Sequence, residues 1–496
     1  MRGYHSRGTT RRIPWRASRA VPPTDPSSRD VSQPSAALSA APYGDVHHKI
    51  SVVDLHTANL EEEDLCIFGC KTVASYNRMT NPEASIVVPG MPAKWSPLLT
   101  PKQLTEDCGT YYHDQNAAFY PKHPLEPAVQ SILDVRADTR AAKIFGTLDL
   151  LGCGSTLGNL LRFVQGKSLN FRILVEVVGP VVHLVRRQES PLETIPDIRG
   201  YRHSFPDSYT TWDSEVHGSS SHQRIVNYQL GGLGIFCLFE GHGYLPTDWS
   251  CPIESAPKKT TGRGSTSLPD REAFSSPSVS SPRPPNADDA GACGDGEPEL
   301  KIFTAGQLKP QDSIFELKTR FIKRQHVQDA IIKYHLASLW LRQVPNFILA
   351  YHDNGLFTDI RVMDVRNEVG EWEKKESAMI RKFVALLRQI VDIARSGLAS
   401  GCRMELTCEK GANVLCIRDQ EPDLPQFLSQ DTLQRWETWL DEDDTSHSDS
   451  DDHESSYLMP EDRDSDSDYD RDNRDSGPHD YAACNKECAY CGRCMY

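Results

Sequence analysis

Three pairs of apolar segments, each joined by a short turn that contains glycine, constrain this sequence more than any other feature. They cover residues 170–187, 222–245 and 345–362, and they turn at Gly179-Pro180, Gly231-Gly232 and Asp353-Asn354-Gly355. Apolar runs of strand length on either side of such a turn are typical of β-hairpins. The sequence therefore predicts three hairpins and contradicts an all-helical fold.

Helical patterns lie between and after these hairpins. Residues 155–166 have helical spacing and end in a glycine, and further helices are predicted at about 326–342 and 368–396. Additional strands are predicted at 300–306, 313–320, 403–408 and 413–418. Strands and helices that mix without regular βαβ alternation predict an α+β or mixed α/β domain, with a mixed sheet and flanking helices.

Composition divides the chain into segments. Only 38% of its 496 residues are hydrophobic, which is low for a chain that folds throughout. We predict a disordered basic, proline-rich arm at 1–46, a single domain at 47–440 interrupted by a disordered insertion at 250–298, and a disordered acidic tail at 441–480. The tail carries a net charge of −14 out of a total of −15, so the rest is nearly neutral. The total charge therefore does not exclude nucleic-acid binding.

The first twenty residues contain six arginines and no acidic residue. This composition resembles a mitochondrial transit peptide, but early prolines such as Pro14 and Pro22 favour a disordered arm that can contact phosphates. No stretch approaches the roughly 18–20 apolar residues that a membrane span requires, and no apolar signal core is present. We expect a nuclear or cytoplasmic protein, with a mitochondrial location as the alternative.

The strongest chemical signal is the predicted strand SIFELKTR, residues 313–320. Side chains two positions apart on a strand share a face, so Glu316 and Lys318 point the same way and Leu317 points into the core. In phosphodiester hydrolysis, a carboxylate such as Glu316 can hold a divalent cation while Lys318 orients the attacking water. The alternative is an ordinary ion pair on the face of the strand.

A second carboxylate, Glu240, closes the apolar strand IFCLFE at 235–240. Such a strand, followed after a loop by a strand with a Glu-x-Lys pair, has the order of a restriction-endonuclease-like nuclease core. Two carboxylates on neighbouring strands can hold one Mg²⁺ or Mn²⁺ through oxygen ligands. Glu240, Glu316 and Lys318 are therefore the predicted catalytic residues.

An ordered series of segments between about residues 145 and 365 resembles the eukaryotic decapping nucleases, which remove aberrant 5′ ends from RNA. The segments are LLGCGSTLGNLLRF, FRILVEVVGPVVHLVRR, GYRHSFPDSY, RIVNYQLGGLGIFCLFEGH, SIFELKTR and LWLRQVPNFILAYHDNGLF. The resemblance implies decapping, pyrophosphohydrolase or exonuclease chemistry on RNA 5′ ends, and a 5′–3′ exoribonuclease as partner. It also implies Asp207, Glu240, His242 and Glu316 as ligands of Mg²⁺ or Mn²⁺.

This sequence departs from the family pattern at three positions. Gly154 stands where the family has an arginine, His242 where it has an aspartate, and Ser338 where it has a glutamine. Losing the arginine removes an interaction with phosphate, and an imidazole suits Mn²⁺ better than Mg²⁺. Two functions stay open: a metal-dependent hydrolase of RNA 5′ ends, and a non-catalytic RNA- or protein-binding protein with the same fold. Convergence of the four implied ligands on one site would favour the hydrolase.

Four cysteines lie close together in the last segment, residues 481–496. Cys484, Cys488, Cys491 and Cys494 form the pattern C-x3-C-x2-C-x2-C. Four thiolates at this spacing can share one soft cation, with Zn²⁺ as the default and an iron–sulfur cluster as the alternative. We predict a small zinc knuckle, against a flexible tail that binds metal only adventitiously.

Other interpretations are excluded by missing motifs. A geranylgeranyl pyrophosphate synthase needs paired DDxxD motifs on helices, and a serine hydrolase of the α/β type needs G-x-S-x-G; the sequence has neither. LGCGSTLG at 151–158 lacks the lysine of a Walker loop, so it predicts a tight entry into a helix. Trp436 and Trp439 are interpreted as core residues and not as a platform for stacking bases.

Overall fold

The computed structural model describes residues 43–444, with the exception of 58–59, 82, 135–147, 169, 189, 196–197, 248, 250–298, 399–402, 422–423 and 425. Almost all of the predicted basic arm, the whole insertion, the acidic tail beyond residue 444 and the cysteine-rich segment lie outside the described residues. The predictions made for those segments stay predictions.

Sixteen strands are formed by the described residues. They are β1 (Val46–Ser51), β2 (Phe68–Met79), β3 (Ser85–Gly90), β4 (Lys94–Trp95), β5 (Leu150–Cys153), β6 (Phe171–Val178), β7 (Val181–Arg187), β8 (Thr210–Thr211), β9 (Ser219–Leu230), β10 (Leu233–Gly241), β11 (Lys301–Gly306), β12 (Phe315–Phe321), β13 (Asn346–Asp353), β14 (Leu356–Asp364), β15 (Met404–Cys408) and β16 (Val414–Asp419). Eleven of them form one sheet in the order β1-β16-β15-β6-β7-β5-β10-β9-β2-β3-β11. The strands β12-β13-β14 form a second sheet, and β4 pairs with β8.

The large sheet is mixed. The pairs β5–β7, β5–β10 and β3–β11 are parallel, and the remaining neighbours are antiparallel. In the small sheet β12 is parallel to β13, and β13 is antiparallel to β14. The predicted fold class, a mixed sheet with flanking helices, is therefore confirmed.

Eight α-helices surround these sheets in the described part of the chain. They are α1 (Gln115–Phe119), α2 (Glu126–Asp134), α3 (Gly154–Val164), α4 (Ser204–Tyr209), α5 (Gln328–Arg342), α6 (Arg366–Lys375), α7 (Ser377–Leu398) and α8 (Gln430–Asp444). None of them is long and apolar enough to cross a membrane. α8 runs to Asp444, so the final helix extends four residues into the segment that was predicted as acidic tail.

Helices cover both faces of the large sheet. On one face, apolar side chains of α3, α5 and α7 pack against strand residues such as Val226 and Ile235. On the other, α2 and α8 pack against residues such as Phe236 and Leu238. Trp436 of α8 is fully buried in this second layer, which confirms that it is a core residue.

All three predicted hairpins form, as β6–β7, β9–β10 and β13–β14. The prediction of one helix over 368–396 is wrong, because the helix is interrupted at Glu376, between α6 and α7. The two helices pack differently: α7 buries a long apolar stripe, whereas no residue of α6 is fully buried. Trp372 of α6 instead lies half-buried against Trp340, with ring centroids 5.5 Å apart.

Replacing Gly231 with alanine should destabilise the protein strongly. Gly231 and Gly232 both have positive φ angles, +62° and +71°, as a tight hairpin turn requires. A Cβ on Gly231 would lie 2.1 Å from Cγ1 of Val384 in α7. We expect the free energy of unfolding to fall by about 2–4 kcal/mol, from backbone strain and overpacking together.

Gly232→Ala is the matched control for this prediction. It has the same kind of φ, but the nearest neighbour of its Cβ is the flexible end of Arg388, at 3.3 Å. Urea denaturation should therefore show a clearly smaller loss for Gly232→Ala, and equal losses would contradict the steric argument.

Candidate functional site

The predicted Glu-x-Lys strand faces a helix across a polar layer. Glu316, Lys318 and Arg320 alternate along β12 and so share one face, while Leu317 packs in an apolar cluster on the other face. The C-terminal half of α5 supplies His335 and Arg342 to this layer. All five polar side chains are buried.

Glu316 is the centre of this layer and is only 1% exposed. Its Oε1 lies 2.7 Å from Nζ of Lys318, and its Oε2 accepts a hydrogen bond of 2.8 Å from Nη1 of Arg342. Nε of Arg342 also donates to the carbonyl oxygen of Ser338, one turn earlier in α5, at 2.9 Å. Both carboxylate oxygens of Glu316 are therefore engaged by cations whose positions are fixed by the fold.

The surrounding charges set the protonation of two groups in the layer. Burial by itself raises the pKa of Glu316, but the charges of Arg342, Lys318 and His242 together outweigh it and hold that pKa well below its usual value. Burial lowers the pKa of His335 well below its usual value, and the charges of Lys318 and Arg320 lower it further. Glu316 is therefore ionised and His335 neutral near pH 7.

His242 reaches this site from the segment after β10. The Leu245 N–H donates to the Ser313 carbonyl at 2.8 Å and the Phe315 N–H donates to the Gly243 carbonyl at 3.1 Å, which ties this segment to the start of β12. Nδ1 of His242 accepts from the Leu317 N–H at 3.1 Å and lies 3.3 Å from Oε2 of Glu316. Nδ1 of His242 thus lies between a backbone N–H donor and a carboxylate oxygen.

The first residue of α3 lies against Arg342. A Cβ on Gly154 would be 3.0 Å from Cγ and 3.2 Å from Cδ of Arg342, closer than side chains normally approach. β5 leads directly into α3 at this glycine, which confirms the predicted tight entry into a helix. Arg342 thus fills the space beside the position where the resembling family carries an arginine.

The other two implied metal ligands do not join Glu316 and His242. Glu240 is near the end of β10, in the large sheet, whereas β12 belongs to the small sheet, and the two strands are linked through the bridge between Tyr244 and Ile314. Asp207 lies on α4, exposed, near Asp107, whose carboxylate accepts from the backbone at the start of that helix. Across the described ranges no three His, Cys, Asp or Glu side chains are placed to hold one metal ion.

The divalent cation that the family resemblance implies does not fit this donor set. Mg²⁺ and Mn²⁺ need several oxygen ligands in a regular shell. Here Lys318 is ion-paired with Oε1 of Glu316, Arg342 donates to its Oε2, and His242 lies 3.3 Å from the same Oε2. The arrangement is that of a buried ion-pair cluster, in which the guanidinium of Arg342 lies where a metal ion would bind Glu316.

A cavity of about 1080 Å³ opens beside this cluster, between β10, α3, α5, α6 and α7. Arg342, Ser338, Gly154 and Glu240 line it. Glu316 and Lys318 are not among the lining residues, because Arg342 lies between Glu316 and Gly154. The cavity also presents further basic side chains: Arg78, Arg162, Lys167, Lys333, Lys375 and Lys382.

Sequence reasoning missed Arg342 and His335. Neither stands in a motif, because each comes from the buried face of an ordinary helix. One signal was available: Gly154 and Ser338 are both small where the family has long polar side chains, which leaves room for another group. Arg342, one helical turn after Ser338, takes that room.

Comparison with protein families assigns the chain to one family. The sequence profile of a family described as a domain of unknown function, DUF8563, matches residues 52–406. The chain belongs to this family. The match covers all the elements of the site, from β5 to β14, and DUF8563 carries no functional description of its own. No curated protein matches the sequence.

Several solved structures are similar to this member of DUF8563. Rai1 of Scheffersomyces stipitis, in complex with (3′-NADP)⁺ and calcium, matches with 9% identity and a TM-score of 0.47, over 80% of this chain and 100% of that one. Rai1 of Candida albicans, in complex with pU5-Mn²⁺, matches with 10% identity and a TM-score of 0.45, over 79% and 100%. Dxo1 of K. lactis, in complex with manganese, matches with 7% identity and a TM-score of 0.39, over 77% and 99%.

Proposed function

We propose that this protein binds the 5′ end of RNA in the cavity beside Arg342, without hydrolysing it through a bound divalent cation. The RNA class follows from the resemblance of the sequence to decapping nucleases. The absence of metal-dependent hydrolysis is proposed because both oxygens of Glu316 form ion pairs, one with Lys318 and the other with Arg342.

The charges around the cavity support an anionic ligand. Seven basic side chains line the cavity against five acidic ones, which are Glu240, Asp329, Glu368, Glu371 and Glu376. On the α3 side the charged lining residues are the cations Arg162 and Lys167. The first turn of α3 also lines the cavity, and its preceding residue, Cys153, makes no side-chain cap hydrogen bond. Backbone N–H groups of an uncapped first turn, together with nearby arginines, are suited to a phosphate.

Removing two of the exposed lysines of the cavity should weaken RNA binding. Lys333 on α5 and Lys382 on α7 are exposed lining residues, so alanine there leaves the core intact. We expect Lys333→Ala/Lys382→Ala to reduce the slope of log Kd against log salt by about one for each phosphate that the protein no longer neutralises. Fluorescence anisotropy with a short 5′-monophosphorylated oligouridine, in buffer that contains EDTA, measures this.

Lys410→Ala is the matched control, since Lys410 is an equally exposed lysine outside the cavity. The same RNA with a 5′-hydroxyl should bind more weakly to the wild-type protein. Identical affinities for the cavity variant, the control and the wild type would refute RNA binding at this site. Turnover of the RNA with Mn²⁺ that disappears in Glu316→Gln, while RNA affinity is kept, would favour the hydrolase.

A further inference from the structure

We infer that Arg342 is a built-in cation that excludes divalent metal ions from Glu316, so that removing it converts the cluster into a metal site. The inference rests on the proposed function, because it explains why the same site holds no divalent metal ion. It goes further by naming the residue that makes a metal ion unnecessary at this glutamate.

The position of Arg342 is the first reason. It is the last residue of α5, and its side chain is 7% exposed, so the guanidinium is almost completely withdrawn from water. Nη1 donates to Glu316 and Nε to the carbonyl of Ser338, which fixes the plane of the guanidinium. Withdrawing this group would leave Oε2 of Glu316 without its strongest partner.

The end of α5 is itself held in place, which is the second reason. Gln343 follows Arg342 with a left-handed conformation, φ 50° and ψ 44°, and closes the helix. The side-chain amide of Gln311 donates to the carbonyl oxygens of Arg342 and Gln343, at 3.1 and 2.9 Å. The backbone from which the Arg342 side chain extends towards Glu316 is therefore held in place.

The place of Arg342 between Glu316 and the cavity is the third reason. Arg342 contacts Glu316 on one side, and on the other its Cγ and Cδ lie against Gly154. Glu240 lines the cavity beside Arg342, and His242 lies 3.3 Å from Oε2 of Glu316. Without the long side chain of Arg342, an ion entering from the cavity can meet the freed oxygen of Glu316, with water completing its shell.

The chemistry of the exchange favours Mn²⁺ as the probe. A set of carboxylate and water oxygens suits Mn²⁺. Lys318 stays beside Glu316 in the variant and limits the affinity, so the binding expected is weak but stoichiometric. Arg342→Ser opens the space fully, and Arg342→Gln removes the charge while keeping most of the volume and is the milder change to the fold.

Mn²⁺ titration of the full chain, followed by electron paramagnetic resonance of the free ion, tests the inference. Each protein is compared with its own Glu316→Gln counterpart, so that Mn²⁺ bound by acidic residues elsewhere in the chain is subtracted. We expect no Glu316-dependent Mn²⁺ in the wild type or in Lys333→Ala, which also removes a cation from the cavity wall. We expect about one Glu316-dependent Mn²⁺ per chain in Arg342→Ser or Arg342→Gln, whichever keeps a cooperative thermal unfolding transition.

Two results would overturn the inference. One is Glu316-dependent Mn²⁺ in the wild type, because the ion would then displace Arg342 unaided. The other is a folded Arg342 variant with no Glu316-dependent Mn²⁺. Because RNA affinity in EDTA is a separate measurement, either result leaves the RNA proposal to its own test.

Discussion

Replacing Glu316 with alanine should lower the free energy of unfolding by about 3–5 kcal/mol, a large part of the stability of a typical domain. The substitution leaves Lys318 and Arg342, both less than 7% exposed, in the interior without the carboxylate that they share. A buried charge that loses its partner retains its full cost of desolvation. Denaturation with urea, followed by tryptophan fluorescence, measures the loss.

Asp364→Ala is the matched control. Asp364 also pairs with an arginine, Arg366, but both side chains are about half exposed, so its loss should cost no more than about 1 kcal/mol. The triple variant Glu316→Leu/Lys318→Met/Arg342→Met removes the glutamate together with the two cations paired with it and should recover most of the stability. A loss below about 1 kcal/mol for Glu316→Ala would contradict the described cluster.

This expectation changes how an inactive Glu316→Ala protein is interpreted. Loss of RNA processing in such a variant does not identify Glu316 as catalytic, because the substitution also breaks the link between helix and strand that shapes the cavity. Glu316→Gln with an intact unfolding transition is the informative substitution, and RNA affinity must be measured on the same sample.

The protein should also lose about 3 kcal/mol of stability through His183 alone as the pH falls from about 6.5 to about 4. His183 is fully buried, and burial lowers its pKa to about 4. Its Nε2 accepts a 3.0 Å hydrogen bond from Nε1 of Trp436, so the lone pair needed for protonation is occupied. In the unfolded chain the imidazole takes up a proton near pH 6.5, and the folded state does not until about pH 4.

The direction follows from this order of protonation. A histidine whose pKa is lower in the folded state favours unfolding below its unfolded pKa, so its contribution is complete above pH 6.5 and disappears towards pH 4. His222 and His335 are also buried with lowered pKa values and act in the same direction. Acid destabilisation of the wild type should therefore be steep.

Comparing His183→Gln with the wild type isolates the effect of His183. Urea denaturation between pH 7.5 and 4 should give a flatter dependence for the variant, since carboxylates and the other histidines titrate in both proteins. His326→Gln changes an exposed histidine and should leave the dependence as it is in the wild type. Parallel curves for His183→Gln and the wild type would show that His183 does not carry the effect.

Local patterns predicted the hairpins and several helices because burial of one face imposes a period on the sequence. They gave no sign of β2, a twelve-residue strand, since Ser75, Asn77 and Arg78 are buried in it beside apolar residues. Hydrogen bonds explain that burial: Ser75 Oγ donates to the Pro89 carbonyl, and Asn77 Nδ2 donates to that of Met91. A strand that buries hydrogen-bonded polar residues lacks the alternation of apolar and polar residues by which strands are recognised in a sequence.

The site was predictable only in part, for a similar reason. Glu316, Lys318 and His242 do lie together, but the sheet to which each strand belongs depends on long-range pairing, which a linear pattern does not contain. Arg342 was hidden because its function depends on facing a strand that ends about twenty residues earlier in the chain. Which charges meet in the interior is a property of the tertiary structure.

The close approach of Gly154 to Arg342 means that these two positions cannot vary independently of one another. Any side chain at 154 would press on Cγ and Cδ of Arg342, so a larger residue there requires a shorter one at 342 or a displaced end of α5. In this fold the pair of positions 154 and 342 can therefore take two states. One state keeps an internal guanidinium on the glutamate, and the other gives that place to a side chain from the start of α3.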